Sequence, residues 1–334
     1  MDQAPRTPPF QPMLDRPRGN AFLRPNAIMQ IALELWAQSA RTGPYADVQM
    51  LLGPPLDGLR QPIATFGFES PEVILAVGRG ELDLATLNPS ALLTMAYRGT
   101  GPFAEPLPLR AIAIMPSYDL MGFGLSGQTG LTSLAEVRER KYPLRVSLRD
   151  DPSHSPILAA EQVLQAEGIA FADIEAWGGS IPLVPNAPGH PSRINGMRSG
   201  EIDAVFDEGI NSWGPPAMEA GFRFARLSDS ALAELEKAGW PLLPMSARFP
   251  QLKGEADPLT ISFSGWPLYT HAGLDEDLAY RITDALWRSR GNLTWDIDRP
   301  VELTDLCGGT PAAPIGVPLH PGAERFYREQ GVVK

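Results

Sequence analysis

The chain has 334 residues, of which 43% are hydrophobic and 20% are charged, and this length suits two lobes of ordinary domain size. Its formal charge of −11 at pH 7 argues against nucleic acid or an anionic membrane surface as partner, because both are bound through basic patches. No run approaches 18 uninterrupted apolar residues, so no membrane-spanning helix is predicted. Cys307 is the only cysteine, which excludes an intrachain disulfide.

The first residues, "MDQAPRTPPFQPM", are rich in proline and polar side chains, and residues 1–20 are predicted to form an irregular arm. They contain neither the basic n-region nor the apolar h-region of a secretory signal. We therefore expect a cytoplasmic protein, unless a leader has been removed, in which case the expected location is the periplasm.

The first part of the chain alternates helical and strand patterns, judged from apolar periodicity and from Gly and Pro punctuation. Asn88 is predicted to cap a helix whose first-turn residue is Pro89. The predicted elements, in order, are a helix over 26–40, a strand over 47–53, a helix over 69–80, a strand over 81–87, a helix over 88–99, and strands over 109–115 and 120–126.

The same alternation continues in the second part. Ser155 is predicted to cap a helix with Pro156 at its first position, and Gly168 lies near the end of that helix. The predicted elements are a strand over 144–150, a helix over 155–169, a shorter helix over 192–200 and a strand over 201–207. Strands that alternate with helices indicate parallel pairing through crossover connections.

A short phrase occurs twice, as "GELDLATLNPS" at 80–90 and "GEIDAVFDEGI" at 200–210. In each copy a helix ends on Gly and a buried strand runs into a polar loop. Two copies indicate two similar α/β lobes, and ligands of such sheets lie beyond the carboxyl ends of the strands. Residues 88–90 and 207–209 are therefore expected to line one cleft. The alternative is that the phrase is only helix-ending chemistry, which any α/β protein can reuse.

The C-terminal stretch "PLHPGAERFYREQG", at 318–331, resembles the end of the TAXI family of TRAP-transporter solute-binding proteins. The matching residues are Leu319, His320, Pro321, Gly322, Ala323, Tyr327, Glu329 and Gly331. His320 is expected to be structural, because Pro321 and Gly322 indicate a turn into the last helix.

Upstream segments extend the resemblance over most of residues 45–331, in a fairly specific order and spacing. They are "GFESPEVILAVGRGELDLA", "LSGQTGLTSLAEVRERKYPLRVSL", "LAAEQVLQAEGI", "GEIDAVFDEG" and "GLDEDLAYRITDALW".

This resemblance implies a type II periplasmic-binding-protein fold, with two α/β lobes, each built on a mixed, mostly parallel sheet flanked by helices. The lobes are expected to comprise 21–117 with 266–334, and 118–265. Two strands would cross between them, near 117–125 and 262–269. The family closes over a small molecule, usually an organic acid or amino acid, and delivers it to a membrane transporter.

Three loops depart from the family pattern. The glycine-rich first loop is replaced by "FLRPNAIM", a second loop becomes "TFGFES", and the Gly-Ser-Gly-Thr loop of the second lobe becomes "DPSHSP". Glycines would let backbone N–H groups approach an anion at a helix N-terminus. Their replacement by side chains leaves the fold expectation intact and puts the family's ligand preference in doubt.

The candidate ligand-binding residues come from these loops, from the strand edges and from the expected crossing. Several have structural alternatives: Ser155 as a helix cap, His154 as a solvated loop residue, Arg24 as a surface residue, and Trp177 and Trp213 as lobe-core residues. The set is Arg24, Asn26, Glu69, Asn88, Ser90, Tyr118, Ser153, His154, Ser155, Trp177, Glu208 and Trp213.

Glu208 has two readings. It forms an internal ion pair if an Arg lies beside it, and it can bind an ammonium group of the ligand if it faces the cleft.

Two functions remain open. The first is a solute-binding receptor for a small polar, carboxylate-bearing ligand. The second is a cytoplasmic enzyme on the same fold, such as a decarboxylase of aromatic acids, in which His154 or Glu69 moves a proton. The chain has four His and no metal-ligand spacing, so no metal, cofactor or catalytic set is predicted.

Overall fold

The computed structural model describes residues 48–52, 63–67, 71–151, 154–185, 187–252, 257–293, 295, 297 and 299–333. The predicted arm over 1–20 and the predicted helix over 26–40 lie outside the described residues. So do four of the candidate site residues, Arg24, Asn26, Glu69 and Ser153.

The first lobe contains the predicted strands and helices of residues 47–115 and one strand, β2, that was not predicted. Its elements are β1 (Val48–Leu52), β2 (Ile63–Gly67), α1 (Pro71–Gly78), β3 (Leu84–Thr86), α2 (Ser90–Arg98) and β4 (Leu109–Met115).

The second lobe follows in the same pattern. Its elements are β5 (Gly122–Ser126), α3 (Leu134–Arg140), β6 (Val146–Arg149), α4 (Ser155–Ala166), α5 (Phe171–Ala176), β7 (Leu183–Val184), α6 (Pro191–Ser199), β8 (Ala204–Asp207), α7 (Ile210–Glu219), β9 (Phe222–Phe224), α8 (Asp229–Ala238), β10 (Leu242–Pro244) and β11 (Leu259–Ile261). The chain then returns to the first lobe through β12 (Trp266–His271), α9 (Glu276–Ser289), α10 (Leu303–Leu306) and α11 (Pro321–Glu329).

Each lobe is built on one five-stranded sheet. The strand order is β1-β2-β3-β12-β4 in lobe 1 and β7-β6-β8-β5-β9 in lobe 2. The two-lobed, mixed α/β fold predicted from the sequence is confirmed. Among the described strands, however, parallel pairs are fewer than predicted: only β2–β3, β6–β7 and β6–β8 are parallel within these sheets.

The antiparallel pairs arise largely because one strand of each sheet arrives from the other lobe. Strand β5 follows the first crossing and inserts between β8 and β9, and β12 follows the second crossing and inserts between β3 and β4. Each insertion contributes two antiparallel pairs. Alternation of helices and strands along the chain therefore overstated the parallel content.

The repeated Gly-Glu-x-Asp motif ends a helix and anchors a strand in both lobes. Gly80 and Gly200 both adopt positive φ, 72° and 77°, which ends the preceding helix and turns the chain toward the sheet. The Asp three residues later then accepts a backbone N–H from the start of the neighbouring parallel strand. Asp83 Oδ2 accepts from Ala64 N at 2.8 Å, and Asp203 Oδ2 accepts from Arg145 N at 3.2 Å.

Two helix starts differ from the prediction. Helix α2 is preceded by Pro89, and Asn88 donates to the crossing chain instead of capping the helix. Helix α4 begins at Ser155, with His154 in the cap position. Each boundary is displaced by one residue, because the proline fixes φ early in the helix but does not specify which neighbour supplies the cap.

The chain crosses between the lobes twice, between β4 and β5 and between β11 and β12. The crossings run side by side, since Leu120 and Ser262 form an antiparallel bridge and Met121 N donates to Ile261 O at 3.1 Å. The lobes also touch beyond the crossings: Thr100 Oγ1 donates to the carbonyl oxygen of Ala238, the last residue of α8, at 2.5 Å.

Cys307 follows α10, and its half-buried thiol donates to Leu303 O at 3.6 Å. Burial raises the pKa of this thiol to about 12 from an ordinary value of 9.0, so the folded protein holds about a thousandfold less thiolate at pH 8. We expect alkylation by iodoacetamide to be at least about 100-fold slower in the native protein than in urea. Mass spectrometry of the time course measures both rates. Equal rates would show that the thiol is freely accessible.

Candidate functional site

The carboxyl end of β3 is attached to the second crossing by three hydrogen-bonding groups. Asn88 Nδ2 donates to the carbonyl oxygens of Phe263 and Gly265, both at 3.1 Å. Ser90 donates to the Ser264 carbonyl oxygen through its backbone N at 3.2 Å and through Oγ at 3.1 Å. Asn88 and Ser90 are buried, so these bonds fix the lobe 1 edge directly on the crossing.

The carboxyl end of β8 is attached to the first crossing by Asp119. Asp119 Oδ2 accepts from Gly209 N at 2.9 Å. The two crossings are in turn joined by Ser264, whose Oγ donates to the Asp119 carbonyl oxygen at 2.9 Å and accepts from Asp119 N at 3.2 Å. Residues 88–90 and 207–209 therefore meet at one place, through Ser264 and Asp119.

A buried charged network occupies the lobe 2 edge. Arg149, the last residue of β6, donates through Nε to Asp207 Oδ2 at 3.0 Å, and its Nη2 lies 2.9 Å from Asp207 Oδ1. Arg193 of α6 donates to the same carboxylate at 2.5 Å and to Ser147 Oγ at 3.0 Å. The side chains of Asp207 and Arg193 are 0% exposed and that of Arg149 is 4% exposed.

Opposite charges outweigh burial in setting the ionisation of this network. Burial alone favours the neutral form of Asp207, but Arg149 and Arg193 together lower the pKa of that carboxyl below its ordinary value. Burial likewise disfavours charge on Arg149, yet Asp207 and Glu208 raise the pKa of its guanidinium. The lowered pKa of Asp207 and the raised pKa of Arg149 both favour the charged forms of this buried pair.

Glu208 connects this network to the crossing. Its carboxylate accepts from Arg149 Nη2, and its side chain is 18% exposed, the largest exposure among the ion-paired groups of the network. Burial first, and the nearby Glu208 carboxylate second, raise the pKa of Asp119 well above its ordinary value. The raised pKa favours the protonated form of Asp119, whose side chain is hydrogen-bonded to Glu208. Of the two readings of Glu208, the internal ion pair is the one observed.

His154 and Ser155 lie beside Arg149, at the start of α4. The Arg149 Nη1 and His154 Nδ1 atoms are 3.2 Å apart. Because a guanidinium only donates, Nδ1 is the accepting nitrogen and the ring proton is on Nε2. Ser155 is 1% exposed as the first residue of the helix. The structure therefore brings three of the candidate residues, Glu208, His154 and Ser155, to one edge of the lobe 2 sheet.

The aromatic candidates are placed differently. Trp213 is fully buried in the lobe 2 core, where its Nε1 donates to Glu208 O at 2.9 Å and its ring centroid lies 5.7 Å from that of Phe224. Trp213 therefore holds the backbone of Glu208 from the core side and does not form a cleft wall in this conformation. Trp177 follows α5, three residues before Ser180, which pairs with Arg145 at the start of β6, whereas the network contains Arg149 at the end of β6. Tyr118 lies on the first crossing, half-buried beside Arg248, whose Nε donates to its carbonyl oxygen at 2.8 Å.

Sequence reasoning missed Arg149, Arg193 and Asp119 as site residues. One signal was present: "RVSLR" at 145–149 and "DAVFD" at 203–207 carry two Arg and two Asp at the same spacing of four. Residues four apart on a strand share a face, and β6 and β8 pair in parallel with Val146 opposite Ala204. Matching the two spacings would have predicted both ion pairs, Arg145 with Asp203 and Arg149 with Asp207.

A cavity of about 220 Å³ opens between the lobes next to Ser90. Residues of both lobes and of the segment before α11 line it, among them Ser90, Thr94, Glu236, Trp240, Ile315 and Gly316. Ser90 thus borders an interlobe space as well as the second crossing.

Within the described ranges, no helix is long and apolar enough to cross a membrane, and no group of three or more His, Cys, Asp or Glu is arranged to hold a metal ion.

Comparison with known families gives a match to the NMT1-like family over residues 223–331, about a third of the chain. This stretch includes the segment at 318–331 on which the sequence resemblance depends. Over that part the chain is similar to the NMT1-like family, and the narrower resemblance to the TAXI family stays a prediction.

Solved structures with a similar chain path are remote in sequence. XAC2383 from Xanthomonas citri bound to chloride ion has 12% identity and a TM-score of 0.41, over 71% of this chain and 77% of that one. The periplasmic binding protein BugD has 12% identity and a TM-score of 0.37, over 67% and 69%. PhnD1 from Prochlorococcus marinus, in complex with methylphosphonate, has 13% identity and a TM-score of 0.37, over 80% and 85%. Likeness at this level gives no information on the ligand of this chain.

Proposed function

We propose that this chain is a solute-binding receptor that closes its two lobes over a small polar, carboxylate-bearing molecule. The observation that carries the proposal is the meeting of the two strand edges, 88–90 and 207–209, at a pair of adjacent crossings. Two adjacent crossing segments join the lobes in the described chain, and buried apolar side chains of both lobes also belong to one core cluster. Such an arrangement suits a hinge, and small polar ligands bind where strand ends converge.

The expected ligand contacts come from both sides of this hinge. A ligand stabilises a closed state only through interactions that the open state lacks, so each lobe must contribute. From lobe 1 we propose Ser90 and Asn88, and from lobe 2 Arg149, His154 and Ser155, with Tyr118 on the crossing. Glu208, which is paired with Arg149, borders this set. Arg24, Asn26, Glu69 and Ser153, which lie outside the described residues, remain part of the proposed set.

The ligand class is proposed from charge. Arg149 presents a planar guanidinium at the lobe 2 edge, and this group is suited to bind carboxylates through paired hydrogen bonds. The resemblance of the C-terminal segment to the TAXI family supports delivery to a TRAP-type membrane transporter, with the periplasm as the working location. An organic acid or an amino acid is the expected solute.

A thermal-shift screen tests the proposal. The panel comprises aliphatic dicarboxylates, amino acids and aromatic acids, with uncharged sugars as control compounds. Because a ligand that binds only the native state adds about 2.7 kcal/mol at 100 times its Kd, we expect at least one acid to raise Tm by several degrees. Small-angle scattering with that acid should show a smaller radius of gyration, as closure requires.

Two outcomes contradict the receptor proposal. The first is a panel in which no acid raises Tm more than the sugars do. The second is conversion of the bound acid to product on prolonged incubation, followed by NMR, which would support the enzyme alternative. Binding without turnover, together with compaction, supports the receptor.

A further inference from the structure

Glu208 occupies the part of the Arg149 guanidinium that a ligand needs. Asp207 takes Nε and shares Nη2, leaving the Nη1 and Nη2 edge to His154 and Glu208. The Arg149 side chain is only 4% exposed, whereas that of Glu208 is 18% exposed. Of the two carboxylates that hold Arg149, Glu208 is therefore the one that borders solvent.

The two carboxylates differ in how firmly they are held. Asp207 is fully buried, accepts hydrogen bonds from both Arg149 and Arg193, and exposes no side-chain surface to solvent. Glu208 has Arg149 as its only cation partner among the described residues. Turning Asp207 away would leave two buried cations uncompensated, whereas Glu208 can turn toward water, where its charge is solvated.

We propose that Glu208 is an internal stand-in for the carboxylate of the ligand, which takes its place on Arg149 when the cleft is loaded. The exchange replaces one carboxylate by another, so the buried charge of the network is unchanged. This inference rests on the proposed receptor function and deepens it. Glu208 then sets specificity, because a ligand without a planar carboxylate cannot replace it and leaves Arg149 in its internal pair.

The exchange also lowers the apparent affinity of the protein for its ligand, because Glu208 competes for Arg149. A ligand carboxylate competes with a tethered group, and a tethered competitor acts at high effective concentration. Removing that competitor should raise the affinity for any carboxylate small enough to reach Arg149. Formate is the probe of choice, because it is the smallest carboxylate and carries no other recognition group.

The test compares wild type with Glu208→Gln, which keeps the side-chain shape and removes the charge. We expect the dependence of Tm on formate concentration to give at least a tenfold higher affinity in Glu208→Gln than in wild type. Chloride at the same ionic strength is the control salt. The matched control protein is the double variant Arg149→Met with Glu208→Gln, in which Arg193 still neutralises Asp207, so the buried charges stay balanced.

The outcomes separate this inference from the receptor proposal. Formate stabilisation that is large in Glu208→Gln and absent in the double variant supports the stand-in role. Equal formate affinity in wild type and Glu208→Gln, or the same response in the double variant, overturns it, and the receptor proposal is then judged by the acid panel on wild type alone. If Glu208→Gln folds poorly, its refolding yield in formate against chloride gives the same comparison, and equal yields overturn the inference.

Discussion

Replacing Arg193 by Met is expected to destabilise the protein by about 3–5 kcal/mol, because it leaves a buried carboxylate without its closest cation. Arg193 is 0% exposed and donates to Asp207, which is also 0% exposed, at 2.5 Å. After the change, Arg149 alone faces both Asp207 and Glu208, so the network has one uncompensated negative charge. Urea unfolding followed by circular dichroism measures the loss.

The same helix provides a matched control. Arg198 lies five residues further along α6 and pairs with Glu219 at 3.4 Å, but these side chains are 56% and 71% exposed. Arg198→Met should therefore change stability by no more than about 0.5 kcal/mol. Adding Asp207→Asn to Arg193→Met restores the charge balance and should recover part of the loss. If Arg193→Met and Arg198→Met cost the same, the network does not stabilise the lobe 2 edge as described.

The network also shows where sequence reasoning succeeds and where it stops. The elements that were predicted in both lobes have local signals: apolar periodicity, Pro at helix starts, and glycines such as Gly80 and Gly200 with positive φ. Strand β2 and helices α7 and α8 were not predicted. The repeated Gly-Glu-x-Asp phrase was also informative. Its Asp bonds the neighbouring parallel strand in each lobe, so the phrase marks a strand start and not merely a helix end.

The site was only partly predictable, because its chemistry depends on pairing between distant segments. Glu208 and His154 were found because they follow a strand and open a helix. Arg149 and Arg193 resembled ordinary charged residues at the end of a strand and on a short helix. Their burial follows from the register between β6 and β8 and from the packing of α6 on that sheet, and neither is visible in one segment alone.

The C-terminal segment on which the family resemblance depends has a structural explanation. His320 is 1% exposed, and its Nδ1 accepts from Gly322 N at 3.2 Å, which caps α11. Tyr327 is buried, and its hydroxyl donates to the Ile112 carbonyl oxygen at 3.1 Å in β4. These residues hold the last helix on lobe 1. The resemblance in this segment therefore reflects the fold of lobe 1 and gives no information about the ligand.

Gly322→Ala is accordingly expected to cost about 3 kcal/mol, although it adds a single methyl group. Helices α9 and α11 approach closely at this position. A Cβ on Gly322 would overlap the Glu276 carbonyl oxygen and lie 2.9 Å from Tyr280 N. Both are backbone atoms, so no side-chain rotation can relieve the contact, and the two helices must separate. The midpoint and slope of urea unfolding report the change.

Gly291→Ala is the control, because a Cβ at Gly291 meets no atom within 4 Å and the residue has no positive φ. Its effect should stay within about 0.5 kcal/mol. If Gly322→Ala unfolds at the same urea concentration as Gly291→Ala, the helices can separate at little cost and the glycine is not required for packing. If only Gly322→Ala is destabilised, while the acid that stabilises wild type raises its Tm by the same amount, the segment acts through the fold of lobe 1 and leaves the ligand site intact.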